Sequence, residues 1–299
     1  MIAVALWMAA QIPPGLERLA EEAEVFAQAA TKVVGEETLR QKALKPPPRF
    51  RPRIGQSALE EPKPEYRERE IQSEFGYASV GGQWHEARQV ESVDGRTVAQ
   101  RGKARTKLAM GIRSDDDLVK RRLLEDLERH GLEGSATDFT LTLLLFRASH
   151  LQKYRWKRLG EERLGVDATT VFEFDQIAGD EAFTIFDKRE ALRSALKGRI
   201  WLRKKDGVPI KIEFAALTPA DEKAEDRTPL LDMARVEYMP SPSGTLLPVA
   251  ALHRRSRGRL LIAENNFSYG NFKRFSTDSE IKFTPVDEEP APAAAPAKP

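Results

Sequence analysis

Two spacings of apolar residues run along the chain, and they divide it. Over residues 15–44, Leu16, Leu19, Ala23, Phe26, Ala27, Ala30, Val33 and Val34 recur near every 3.6 positions with Glu and Arg between them, which predicts an amphipathic helix. Lys45-Pro46-Pro47-Pro48 ends it, because proline offers no backbone N–H and disfavours a helical residue before it. The stretch on to Pro64 is rich in Pro and Arg and is expected to be an extended connector.

From Glu65 the spacing becomes two. Ile71, Phe75 and Tyr77 share one face, and Phe172 and Phe174 flank Glu173. Ile210, Ile212 and Phe214 alternate with Lys211 and Glu213, as Ala234, Val236 and Tyr238 do with Arg235 and Glu237. Strands with one wet and one buried face are the mark of an antiparallel sheet. Asp94-Gly95, Lys205-Asp206-Gly207 and Ser256-Arg257-Gly258 supply its hairpin turns.

Helices interrupt this pattern in the middle of the chain. Ser114-Asp115-Asp116-Asp117 is a capping box followed by an apolar stripe of Leu118, Val119, Leu123, Leu124 and Leu127, with a stop near Gly131. A second helix opens at Ser135 or Thr137, and its body, 139–148, is apolar on nearly every side, which makes it a buried core or lid element. A short helix near 188–197 is the remaining candidate. The pattern therefore predicts an α+β fold, an antiparallel β-sheet with helices packed on it and an N-terminal helix beside it.

Residues 1–11 form a signal-like segment, an apolar stretch ending in Ala9-Ala10 before Gln11 and Pro13-Pro14, though without a basic start. The expected organisation is that segment, a helix and connector over 12–64, a single antiparallel β domain with inserted helices over 65–286, and a disordered Glu-, Pro- and Ala-rich tail over 287–299. Export to the periplasm or the exterior follows from the first segment.

Composition removes several classes of function. Lys and Arg number 48 against 46 Asp and Glu, a net charge of +2 that makes no case for a nucleic-acid partner. The absence of cysteine excludes disulfides, thiolate metal sites and a lipid-modified Cys anchor. No apolar run is long enough for a membrane span, which leaves peripheral membrane contact open. His85, His130, His150 and His253 show no metal-ligand spacing, and no nucleophile elbow or phosphate loop is present, so the expectation is a protein that is not an enzyme and needs no metal or cofactor.

Three strings carry candidate chemistry. Lys153-Tyr154-Arg155-Trp156-Lys157-Arg158 interleaves basic and aromatic residues, but period-two alternation accounts for all of it as a strand with Tyr154 and Trp156 inward. In His253–Arg259 the basic residues Arg254, Arg255, Arg257 and Arg259 fall where a hairpin turns, as a charged tip or as a contact for an anionic surface. Asn266-Phe267-Ser268 matches a glycosylation sequon. The inward aromatics, Phe172, Phe174, Trp201 or its neighbours Ile200 and Leu202, Phe214 and Tyr238, are either plain core or the lining of an apolar cavity.

The order helix, strands, two inserted helices and a long meander resembles bacterial periplasmic lipoprotein carriers and receptors of the Lol type. So does the closing stretch, Val236-Glu237-Tyr238 through Leu246-Leu247-Pro248-Val249 to Asn266-Phe267-Ser268-Tyr269-Gly270-Asn271-Phe272-Lys273-Arg274-Phe275. The resemblance implies a curved sheet, a half-barrel, with helices on its concave face and a hydrophobic cavity that shields a lipid or the acyl chain of an acylated protein. In such a protein Phe139, Leu143 and Phe146 belong to the lid and Phe172, Phe174, Trp201, Phe214 and Tyr238 to the lining. The alternative is an envelope structural or protein-interaction protein without a ligand cavity.

Overall fold

The computed structural model describes residues 12–46, 63–80, 83–98, 138–177, 183–187, 190–218 and 228–274. The expected signal-like segment, the helix after Ser114, the start of the next at Ser135 or Thr137 and the C-terminal tail lie outside them, as does most of the Pro-rich connector.

Helix α1, Glu17–Ala29, buries Leu19, Ala20, Ala23 and Phe26 along one stripe, and a short 3-10 turn, Ala30–Lys32, ends it. The helix expected to run on to 44 therefore stops fifteen residues early. Its place is taken by strand β1, Val33–Leu44, whose inward positions Gly35, Glu37, Leu39, Gln41 and Ala43 are buried. Two of those five are long polar residues, so the alternation is real in burial and invisible in hydropathy.

The remaining strands are β2 (Tyr66–Val80), β3 (Gln83–Val93), β4 (Arg96–Thr97), β5 (Tyr154–Leu164), β6 (Asp167–Gln176), β7 (Phe183–Asp187), β8 (Glu190–Ser194), β9 (Lys197–Arg203), β10 (Pro209–Thr218), β11 (Leu230–Pro240), β12 (Leu246–Arg257) and β13 (Leu260–Arg274). The short helix expected over 188–197 is instead β8 and the start of β9. Eleven strands form one open sheet in the order β4-β3-β2-β1-β13-β12-β11-β10-β9-β6-β5, every neighbouring pair antiparallel, with β7 and β8 as a separate hairpin. The turn between β3 and β4 forms at Asp94 and Gly95, with φ of 49° and 74°, the left-handed pair that a tight hairpin demands.

One face of the sheet carries the core. Ile71, Phe75 and Tyr77 from β2, Phe172 and Phe174 from β6, Ile200 and Leu202 from β9, Ile212 and Phe214 from β10, and Ala234, Val236 and Tyr238 from β11 are all buried, as their alternation requires. They join one apolar cluster with Leu16, Leu19 and Phe26 of the N-terminal helix and with a 3-10 helix, Phe139–Phe146, here called the plug. No described helix is long and apolar enough to cross a membrane.

Candidate functional site

The plug is the least ordinary segment of the fold. It has the sequence FTLTLLLF, and seven of its eight residues are buried. Its 3-10 geometry gives weaker backbone bonds than an α-helix, and runs this long are uncommon. Asp138, just before it, has φ 65° and ψ 14°, a left-handed conformation that aspartate tolerates better than most residues. Side chains from the sheet hold this strained start.

A buried charged cluster does the holding. Arg88 on β3 donates from Nε to both carboxylate oxygens of Glu37 at 2.7 and 2.9 Å, and from a terminal nitrogen to Glu86 at 2.7 Å. Its guanidinium lies 5.3 Å from the ring centroid of Phe75 and 5.5 Å from that of Phe267, so aromatic faces cover the charge. Glu86 then reaches the plug. Its oxygens accept the backbone N–H groups of Asp138 at 2.7 Å and Thr140 at 2.8 Å and the Thr140 hydroxyl, while its own N–H donates to Asp138 at 3.0 Å. Tyr238 adds a hydrogen bond from its phenol to the Thr140 carbonyl at 3.0 Å.

Electrostatics follow from the burial. Desolvation pushes the Glu37 carboxyl up, against the pull of Arg88. Burial opposes the charge of Arg88, yet Glu37 and Glu86 outweigh it and raise the guanidinium well above its ordinary value. Burial also pushes the phenols of Tyr77, Tyr238 and Tyr269 up, so all three stay neutral.

A second buried cluster lies against the same end of the plug. His253 on β12 contacts Asp232 at 2.7 Å through Nε2 and the Asn265 amide at 3.1 Å through Nδ1, and Gln41 donates to Asn265 at 2.7 Å. Asn265 presents its amide nitrogen to Nδ1, which makes that atom the acceptor and leaves the proton on Nε2 facing Asp232. Phe139 stacks on the imidazole at 4.8 Å between centroids. The far end of the plug is held differently, by Arg147 donating to both oxygens of Glu24 on α1 at 2.8 to 3.1 Å.

Of the eight residues expected to line a cavity, seven come together inside. Phe139 packs 6.4 Å from Phe214, Phe146 packs 5.0 Å from Phe174, and Leu143, Phe172 and Tyr238 share their cluster. Trp201 does not join them: it is buried, but its indole N–H binds Glu162 and Lys211 sits 4.0 Å from its ring, while Ile200 and Leu202 take the inward places. Trp201 therefore points to the opposite face of β9, whose pairing with β6 is regular, and is buried there by the side chains of Glu162 and Lys211. Tyr154 and Trp156 face the core as expected and Arg155, Lys157 and Arg158 face water.

The basic hairpin separates into two kinds of residue. Arg254 is exposed and paired with Glu264, and Arg259 is exposed at the turn, whereas Arg255 reaches inward to Asp232 at 2.8 Å and Arg257 is half-buried. Asn266 of the sequon is exposed on β13. Sequence reasoning did not find Glu37, Glu86, Arg88 or Asp232. They stand on three strands, β1, β3 and β11, with no common motif, and the one signal available was charge at inward positions of those strands.

No family model matches the chain, and no curated protein matches it. Among solved structures it is similar to a DUF1329 family protein from Desulfovibrio piger at 9% identity, covering 88% of this chain and 92% of that one with a TM-score of 0.38. It is also similar to an outer membrane lipoprotein-sorting protein domain from Vibrio parahaemolyticus, at 14% identity with 89% and 94% covered and a TM-score of 0.34. A third similar structure is a LolA superfamily protein from Nitrosomonas europaea, at 11% identity with 86% and 92% covered and a TM-score of 0.32.

Proposed function

We propose that this is a non-enzymatic cell-envelope protein, periplasmic or secreted, that takes a lipid or the acyl chain of an acylated protein into the space its plug fills. The observation that carries this reading is the plug itself: an almost wholly apolar eight-residue 3-10 helix, seated on a core face and tied down by side chains at both ends. An acyl chain presents the same kind of surface as Leu141, Leu143, Leu144 and Phe146. Its burial is worth about 0.8 kcal/mol per methylene, enough to compete with a segment whose backbone bonds are weak.

A half-barrel curled around the plug fits the contacts. Thr140 bonds to β3, second in the sheet order, while Phe146 lies 5.3 Å from Tyr154 on β5, the eleventh. On a flat sheet nine strand spacings would separate those strands by roughly 43 Å. An eight-residue 3-10 helix is roughly 16 Å long. In this reading Arg88, through Glu86, holds the start of the plug, and Arg147 is the latch at the other end.

Titration with a fluorescent fatty acid tests it. Saturable binding is expected, and a Leu143→Ala/Phe146→Ala variant, which empties part of the space, should bind more tightly. If neither protein binds, the second reading stands: an envelope scaffold with a filled interior. The mutual packing of Phe139, Phe146, Phe174 and Phe214 favours that alternative.

A further inference from the structure

At one end of the sheet, the start of β1, the end of β13 and the β11–β12 hairpin enclose a cleft of about 440 Å³. We propose that this cleft is a preformed site for a single-chain anionic amphiphile, with the chain against its apolar walls and the head at Lys273 and Arg274. It shares Tyr269 and Phe272 with the interior cluster, but no residue of the plug lines it, and it requires no movement of the plug.

The walls are built rather than left over. Val33, Met239, Leu247, Val249 and Phe272 supply apolar surface, and none of the lining residues is acidic. Two register shifts open the strands here, one where Val34 and Glu36 of β1 face Lys273 and Gly270, the other between Glu237 and Tyr238 of β11. A bulge of this kind re-aims a side chain. At the first, Asn271 adopts φ 51° and donates from its amide to Glu36 at 2.7 Å, and Phe272 swings over Gly35. Any Cβ at position 35 would sit 2.5 Å from the Phe272 ring, so glycine is what lets that wall form.

Polar groups give the cleft its selectivity. Tyr269 lines it with its ring at 8% exposure, while its hydroxyl is directed to Glu37 in the interior. Lys273 and Arg274 are exposed at the mouth and form no ion pair among the described residues. Glu37 of the adjoining strand is paired with Arg88, and Glu36 accepts from the Asn271 amide and is not among the lining residues, so the charges that line the cleft are the two cations. The volume falls within the ordinary range for small-molecule sites.

Dodecanoate and its uncharged methyl ester, titrated into the full chain, test the assignment. Saturable binding of dodecanoate is expected. A Lys273→Glu/Arg274→Glu variant should weaken it at least tenfold while leaving the ester unchanged, and Val249→Trp should weaken both by filling the cleft. A spin-labelled fatty acid should broaden the methyl resonances of Val33 and Val249 and leave those of Leu141, Leu143 and Leu144 sharp. Broadening confined to the three leucines would overturn this site and leave the interior reading standing. Equal loss of acid and ester in the charge variant would overturn the role of the mouth, and no saturable binding of either probe would overturn both sites.

Discussion

The two ends of the plug are anchored by the same chemistry in opposite surroundings. At its start, Arg88 and two glutamates sit at 5% exposure or less, roofed by Phe75 and Phe267; at its end, Arg147 and Glu24 form a bidentate pair that is more than one-third exposed on both sides. Burial changes what such a pair means. In water an ion pair is nearly neutral in free energy, whereas inside the fold each member has surrendered its hydration and depends on the other. The start of the plug is therefore a structural commitment, and its end is a clasp that can open at little cost.

Removing the buried guanidinium should do the most damage. An Arg88→Met variant keeps the bulk but leaves Glu37 and Glu86 facing each other without a cation, and should lose roughly 3–5 kcal/mol in urea unfolding. A loss below about 1 kcal/mol would mean that water reaches the cluster and that the contrast between the two ends is false.

The plug's apolar body comes next. Leu143 is fully buried, so Leu143→Ala should cost about 2–5 kcal/mol, the spread reflecting how far the site collapses into the space. An unfolding loss near the bottom of that range, with tighter fatty-acid binding, would mark the plug as replaceable; one near the top without binding would mark it as core.

The same contrast between charge and apolar surface governs what the sequence discloses. Strands whose inward residues are oily, such as Ile71, Phe75 and Tyr77, announce themselves by alternation. Strand β1 does not, because Gly35, Glu37 and Gln41 occupy inward positions, and its Val33-Val34 start continues the helical spacing of α1 by coincidence. The inward face of the candidate site was legible for the same reason as the sheet, and Trp201 was misplaced because Ile200, Trp201 and Leu202 are all apolar, so hydropathy alone does not say which of them face in. The charged clusters were out of reach: Arg88 and Glu37 are 51 residues apart and Gln41 and Asn265 are 224 apart, so only the folded register brings them together.

His253 sharpens the comparison through pH. Burial holds its imidazole below the ordinary 6.5, against the opposing pull of Asp232, so the folded protein binds fewer protons than the unfolded chain just below that pH. The sign is then fixed: this contribution is intact above 6.5 and drains away as pH falls toward the folded value. The slope is limited to about 1.4 kcal/mol per pH unit for one group. Thermal unfolding of the wild type should therefore fall between pH 7 and pH 5.5 more steeply than that of His253→Gln. His150, held low by burial, contributes equally to both proteins. Parallel curves would show that the imidazole titrates in the fold as it does in the unfolded chain, and a shallower fall for the wild type would show that it carries its proton in the fold.

The smallest effect belongs to the clasp. Arg147→Ala breaks a bidentate pair with Glu24 whose members are 39% and 35% exposed, and solvent screening limits the stability loss to within about 1 kcal/mol. The hydrogen bond from Arg147 holds the Glu24 carboxyl low against an opposing effect of burial, and at 35% exposure the freed carboxylate is rehydrated in place. Hydrogen exchange should nevertheless quicken at the amides of Leu144 and Phe146 while those of Thr140 and Leu141, beside Glu86, keep their protection. Such an asymmetry in exchange, with global stability almost unchanged, is what distinguishes a releasable end from an anchored one; uniform acceleration along the plug would make its two ends equivalent.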